Sequence, residues 1–156
     1  MQRKVLFVCL GNICRSPLAK ALFEKHLEDH RLDHLFFCDS AGTSSQHQGQ
    51  NADPRTLQNA AKNGLFFHHS ARQFQPRDFD EFDHIIVMDR SNENNVLNLC
   101  RNEEHSVKVS RMRNWDVEMP GADVPDPWYG GEDGFEEVFR ILERSTHALL
   151  HELSQK

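Results

Sequence analysis

Val8-Cys9-Leu10-Gly11-Asn12-Ile13-Cys14-Arg15-Ser16-Pro17 decides how this chain of 156 residues is read. The run before it, Val5 to Val8, is short, apolar and without polar alternation, as in a strand buried on both faces. Ser16 followed by Pro17 signals a helix start, because a Ser hydroxyl caps free N–H groups and Pro fits the first helical position. The decapeptide therefore reads as a strand, a tight loop and a helix N-terminus.

Such a loop gathers unpaired backbone N–H groups around one point, here those of Leu10, Gly11, Asn12, Ile13, Cys14 and Arg15. The helix dipole adds partial positive charge there, so the place suits an anion. Cys9 opens the loop and Arg15 closes it, and a short turn brings thiol and guanidinium to the same oxyanion. The planar fork of Arg matches phosphate oxygens, and the surrounding field favours the thiolate, which is the nucleophilic form. Backbone donors and Arg15 already neutralise a bound phosphoryl group, so this chemistry calls for no metal and no cofactor.

Outward from the loop, Ala19, Leu22, Phe23 and Leu27 repeat at helical spacing, and Leu35 to Asp39 is a second apolar run. It passes into Ser40-Ala41-Gly42-Thr43, a strand giving way to a loop, so strand, helix and strand make a right-handed βαβ unit. Ser44 to Ala52 reads as a mobile polar loop, and Asp53-Pro54 as a capped helix running to Asn63 before Gly64. Phe66 to Gln73 has no period and reads as a loop with buried aromatics. Its adjacent His68 and His69 lack further ligands at metal-site spacing, so no metal is expected. His84 to Met88 is a third buried strand, followed by a capped helix entry at Asp89-Arg90-Ser91-Asn92 with Val96, Leu97 and Cys100 on its apolar side. Ser106 to Val109 reads as a fourth strand, and Phe135 to Leu153 as a long amphipathic helix. The expected fold is α/β: a single domain over 1–156 with a small, about four-stranded, parallel twisted sheet flanked by helices on both faces. Its phosphate-binding loop (P-loop) lies between strand 1 and helix 1.

Composition narrows the classes. A domain of this length buries roughly 70% of its unfolded surface and needs no disulfide staple. The four cysteines, Cys9, Cys14, Cys38 and Cys100, show no framework spacing, and no signal-like stretch or long apolar run accompanies them. A reducing, cytoplasmic compartment is expected. The net charge of −6 argues against nucleic acid and anionic membranes as partners.

Phosphoryl transfer to a thiolate also needs a proton for the leaving group, since a departing phenolate is as basic as tyrosine, with a pKa near 10. Val124-Pro125-Asp126-Pro127-Trp128-Tyr129-Gly130-Gly131 supplies the best donor. Pro127 holds Asp126 extended, two prolines stiffen the loop, and the neighbouring aromatics partly desolvate the carboxyl, which suits a general acid.

Cys-x5-Arg-Ser is the signature of cysteine-dependent phosphatases, and the full decapeptide closely resembles the low-molecular-weight protein tyrosine phosphatases. The likeness extends to Asp126-Pro127-Trp128-Tyr129, Ser40 to Thr43, His69 to Gln73 and Met88 to Asn92. It implies that Cys9 is the nucleophile, Arg15 the phosphate clamp and Asp126 the acid, and later the base that activates water. By the same likeness Ser16 donates to the Cys9 thiolate, while Ser40 and His69 hydrogen-bond Asn12 and hold the loop. Ile13, Gln46, His47, Trp128 and Tyr129 then form the substrate pocket. A phosphotyrosine protein or a small aryl phosphate is the implied substrate, for a monomer or weak dimer, and Cys9 and Cys14 are close enough in sequence for a redox disulfide.

Gln46 stands where relatives usually carry an aromatic residue, which makes the pocket wall more polar. Phosphoarginine phosphatases of the same fold have a threonine where this chain has Ile13. Arsenate reductases share the loop but use additional cysteines near the site, which the segment Phe74 to Asp89 lacks. A non-catalytic phosphate- or flavin-binding module would use the same helix terminus without needing Cys9 and Asp126 together.

Overall fold

The structure, a computed structural model, describes residues 1–155, Tyr129 by its main chain alone. Strands β1 (Arg3–Cys9), β2 (Phe36–Gly42), β3 (His84–Val87) and β4 (Val109–Arg111) form one parallel sheet in the order β2-β1-β3-β4. Between and after them run α1 (Arg15–Asp29), α2 (Pro54–Lys62), α3 (Asp78–Glu81), α4 (Arg90–Leu97), α5 (Glu103–Ser106) and α6 (Glu132–Ser154). The chain goes from β1 to β2 on one side and comes back to place β3 on the other, so the strand order reverses at β1. A crevice opens outside the carboxyl ends of the strands at such a reversal, and the loop after Cys9 lies in it.

Side-chain alternation explains the apolar run of β1. Val5 and Phe7 pack into the core shared with α1 and α6, among Leu22, Phe23, Leu142 and Leu149. Leu6 and Val8 point to the opposite core with Ile85, Val87, Phe79 and Val96. Burying each such side chain stabilises the fold by about 1.5–3 kcal/mol, so β1 is committed on both faces. No helix of the described residues is long and apolar enough to cross a membrane.

Several local expectations are corrected. Ser16 and Pro17 lie inside α1, whose N-cap position is Cys14 without a side-chain cap bond. The Ser16 hydroxyl turns instead toward the loop. The fourth strand runs Val109–Arg111 rather than Ser106 to Val109, because the Asn102 side chain accepts from the His105 N–H and winds Glu103–Ser106 into a helical turn. Cys100 lies beyond the end of α4, and Leu97 and Phe66 are exposed. The segment 44–52 is tied at several points: Ser44 N–H to Leu10 O, Gly49 N–H to Ala71 O, Ala71 N–H to Gln50 O.

One buried charge cluster orients the segment that leads to the second half of the site. Asp116 accepts from Arg113 Nε (2.8 Å), Arg144 Nε and Nη2 (2.8 and 3.0 Å) and the Glu118 N–H (3.0 Å). Arg113 then donates to the carbonyl of Asp123, one residue before Val124. Burial alone would raise the Asp116 carboxyl, but the bonds from Arg144, the Glu118 backbone and Arg113 outweigh it and hold the pKa at about 2. Because that lies below the unfolded value of about 3.9, the stabilisation is present above the unfolded value and is lost as pH falls toward and through the folded one. Replacing Asp116 by Asn should therefore cost about 3 kcal/mol at pH 7, the scale of a broken buried pair, and flatten the acid limb of stability in chemical denaturation between pH 4 and 2. An unchanged acid limb would show that the cluster does not carry this pH dependence.

Candidate active site

The loop from Cys9 to Arg15 turns on Asn12, fully buried and in the left-handed region at φ 57°. Asn tolerates this conformation better than other side chains, and here every polar group of the residue is used. Its Nδ2 donates to Ser16 Oγ (2.8 Å) and Ser40 Oγ (3.0 Å), and its Oδ1 accepts from the Arg72 N–H (2.9 Å). Its carbonyl accepts from His69 Nε2 (2.6 Å). Burial lowers His69 below the ordinary histidine value, with the Asn12 bond opposing. The ring is thus neutral at pH 7, and since a carbonyl only accepts, Nε2 carries the proton.

Cys9 Sγ lies 2.9 Å from Ser16 Oγ and 3.3 Å from the Asn12 nitrogen. Ser16 Oγ accepts from the Asn12 amide, and for its own proton the sulfur at 2.9 Å is a nearer acceptor than the Ala41 carbonyl at 3.4 Å. Two donors therefore converge on Sγ at the carboxyl end of β1. Around it, the N–H groups of Gly11, Ile13, Cys14 and Arg15 have no protein acceptor among the described residues. They remain open to an anion.

Gly42 makes the close approach possible. It pairs with Cys9 in the sheet, and a Cβ built on it would lie 2.7 Å from Leu10 O and 3.0 Å from the Asn12 nitrogen. Only glycine lets the end of β2 sit this close beneath the loop.

Arg15 is 2% exposed. Its Nη1 donates to Asp89 Oδ2 (2.7 Å) and to the Val124 carbonyl (2.9 Å), while Nη2 lies 3.8 Å from Asp126 Oδ2. Burial alone would lower the guanidinium pKa, but the Cys9 charge and Asp89 more than offset it, so Arg15 stays charged. Asp89 was expected only as a helix cap, and it does cap α4 through the Asn92 N–H (2.7 Å). The missed signal was electrostatic, since a cation buried behind a loop needs an anion against it.

These groups meet at a cavity of about 190 Å³ lined by Cys9, Gly11, Ile13, Cys14 and Arg15, with Gln46, His47, Asp126 and Trp128 also on its wall. Leu10 lines it too, although its side chain is half exposed. The His47 and Trp128 rings touch at a tilt, with centroids 5.6 Å apart. Asp126 is extended, as Pro127 requires, and accepts the Trp128 N–H. Its side chain is 42% exposed, more open to water than the aromatic neighbours had suggested. Ser40 and His69 stay behind the loop, in contact with Asn12. The Tyr129 side chain lies outside the described residues.

The chain matches the family model described as low molecular weight phosphotyrosine protein phosphatase over residues 4–156. It is 43% identical over 152 residues to a low molecular weight protein-tyrosine-phosphatase of Streptomyces coelicolor, covering 96% of this chain and 93% of that one. A low molecular weight phosphotyrosine protein phosphatase of Schizosaccharomyces pombe is 44% identical over 139 residues, with 87% of each chain covered. Among solved structures, that of a protein tyrosine phosphatase from Entamoeba histolytica with Hepes in the active site superposes with a TM-score of 0.95 at 40% identity, covering 99% and 98% of the two chains.

Two substitutions separate the conformational role of Asn12 from its hydrogen bonds. Asn12→Ala keeps a Cβ at positive φ and strands Arg72 N–H and Ser40, and should cost about 3 kcal/mol in thermal or chemical denaturation. Asn12→Gly relieves the strain and should cost less. Both should weaken binding of inorganic phosphate, measured by calorimetry, at least about tenfold, the effect of a misplaced set of donors. Wild-type phosphate affinity in Asn12→Ala would remove Asn12 from the account of the loop.

Proposed function

The chain belongs to the low molecular weight phosphotyrosine protein phosphatase family, and we propose that it hydrolyses phosphotyrosine and other aryl phosphate monoesters through a cysteinyl phosphate. The observation that carries this is the meeting, at one small cavity, of a buried sulfur with two donors, a ring of open N–H groups, a charged Arg15 and the Asp126 carboxyl.

In the first step Cys9 Sγ attacks phosphorus in line and the bond from phosphorus to the aryl oxygen breaks. Asp126, entering as the acid, gives its proton to that oxygen. The loop N–H groups hold the equatorial oxygens together with Arg15, whose Nη1 is anchored on Asp89 and Val124 and whose Nη2 lies 3.8 Å from Asp126 Oδ2. In the second step Asp126, now a carboxylate, takes a proton from water, the water oxygen attacks phosphorus, and the bond to sulfur breaks to release phosphate. His47 and Trp128, in contact with each other at the mouth, give the cavity an aromatic wall against which a substrate ring packs. Ile13 supports this aryl preference by giving the wall an apolar side chain, and Gln46 adds a polar one.

Placement of the other cysteines supports hydrolysis over arsenate reduction. Cys38 packs in the core under α1, and Cys100 packs against the opposite core, so neither lines the cavity. Cys14 does. Its thiol is pushed up to about 12, chiefly by burial, with the Asp53, Cys9 and Asp126 charges adding and a Thr56 bond opposing. It therefore rests as a neutral thiol beside the nucleophile, placed to condense with a sulfenic acid on Cys9 and release water when peroxide is the oxidant. Four free cysteines fit a reducing, cytoplasmic setting.

The test is hydrolysis of p-nitrophenyl phosphate in the presence of EDTA. Cys9→Ser should abolish turnover, and Asp126→Ala should slow poor leaving groups by about 100-fold or more while sparing activated ones. Turnover in Cys9→Ser would end the proposed mechanism. After brief peroxide treatment, mass spectrometry should show a bond between Cys9 and Cys14 that thiol reverses; sulfonation of Cys9 with Cys14 intact would remove the redox proposal.

A further inference from the structure

Arg55, second residue of α2, touches both halves of the site without lining the cavity. Its guanidinium forks onto the Asp53 carboxylate, Nε to Oδ1 at 3.1 Å and Nη2 to Oδ2 at 2.9 Å. Asp53 in turn donates its main-chain N–H to the carbonyl of Ile13 in the phosphate loop (2.8 Å). The remaining nitrogen, Nη1, donates to the Trp128 carbonyl (3.0 Å), and the Trp128 N–H donates to Asp126 Oδ1 (3.1 Å). The guanidinium also lies over two rings, Trp128 at 5.2 Å and Phe135 at 4.8 Å.

A bland account treats Arg55 and Asp53 as a helix-start ion pair. That account is weak, because the Arg55 side chain is 43% exposed and pairs of that kind contribute about 0–1 kcal/mol. It also leaves the Nη1 bond and both ring contacts unexplained. Among the described residues, the Arg55 bond to Trp128 O is the only hydrogen bond reaching segment 125–130 from outside it. The segment's other polar link is the ion pair of Asp126 with Arg15 at 3.8 Å, and a bound phosphoryl group competes for that same guanidinium.

We propose that Arg55 is the positioning residue for proton transfer. It moors the loop carrying Asp126 to the loop carrying Cys9, through Asp53 on one side and the Trp128 main chain on the other, and so sets the carboxyl at the leaving oxygen. Only a planar fork with a stackable face makes all these contacts at once; lysine has its three donors on one nitrogen and cannot span Asp53 and the Trp128 carbonyl while stacking. This rests on the proposed assignment of Asp126 as the acid.

Arg55→Gln and Arg55→Lys are assayed on aryl phosphates from dinitrophenyl to phenyl, with thermal denaturation as the check on folding. Misplaced proton transfer matters only for basic leaving groups. Arg55→Gln should therefore stay within about twofold of wild type on the dinitrophenyl ester and lose about tenfold on phenyl phosphate and phosphotyrosine, with Arg55→Lys showing the same bias to a smaller degree. In an Asp126→Ala background Arg55→Gln should add no further loss, since the group it positions is gone. An even loss across leaving groups, no loss, or multiplying losses in the double variant would overturn the positioning role while leaving Asp126 as the acid. Absence of leaving-group bias in Asp126→Ala itself would overturn the acid assignment, and this proposal with it.

Discussion

One buried asparagine with a positive φ is the constraint on which the site depends. Asn12 bends the chain back over the end of β1 and spends all its polar groups on Ser16, Ser40, Arg72, His69 and Cys9. Those partners come from three separate stretches, so the loop takes its shape only when β1, β2 and the segment after α2 have assembled. Arg72 adds a further tie, since its side chain pairs with Asp39 on β2 and the buried Asp78 on α3. The anion cradle is thus a property of the folded sheet and not of the decapeptide alone. Gly42 belongs to the same constraint, because a side chain there would push the loop off the strand that supports it.

The second requirement is electrostatic. Arg15 sits almost wholly out of water, where a lone cation is costly, and Asp89 compensates it while also capping α4. With Asp89 and the Val124 carbonyl gripping one nitrogen, the guanidinium is oriented before any anion arrives. Preorganisation of this kind is what makes fixed donors effective on a developing charge, because none has to turn at the moment of reaction. The Val124 bond also joins the phosphate loop to the start of the acid loop, so one side chain serves both.

Legibility in the sequence followed the range of the interactions. The strand, loop and helix were readable because apolar runs and Gly, Ser and Pro act locally, and the spacing of Cys9 and Arg15 is itself short. Asp126 was readable because prolines on both sides restrict it. The resemblance supplied Ser40 and His69 as neighbours of Asn12, which no local pattern contains. What stayed hidden were pairings across the fold: Asp89 under Arg15, the Arg72 N–H on Asn12, Gly42 beneath Leu10, and Arg55 between two loops. Asp53, Arg55 and Asp89 each have a sufficient local meaning at a helix start, which masked the distant one. The fourth strand was misplaced for a related reason, because three residues of edge strand carry too little pattern to outweigh an Asn cap nearby.

The two halves of the site differ in burial, and the proposed chemistry asks for that difference. Cys9 is 2% exposed, as Arg15 is, because donors that hold a phosphoryl group act best where water does not compete. Asp126 must regain and lose a proton within each cycle and let a phenol depart, so it works from a rim that water reaches, beside a Trp128 that is 37% exposed. In the rim segment that follows the buried Val124, Pro127 packs inward while Asp126 and Trp128 stay exposed, so packing alone does not aim the carboxyl. It needs a few directed contacts that tolerate solvent, and a guanidinium lying over two rings with its nitrogens committed is a contact of that kind. The buried half of the site follows from the sheet; the exposed half is tied to it by Arg15 at Val124 and Asp126, by the buried Pro127 and, across its outer side, by Arg55.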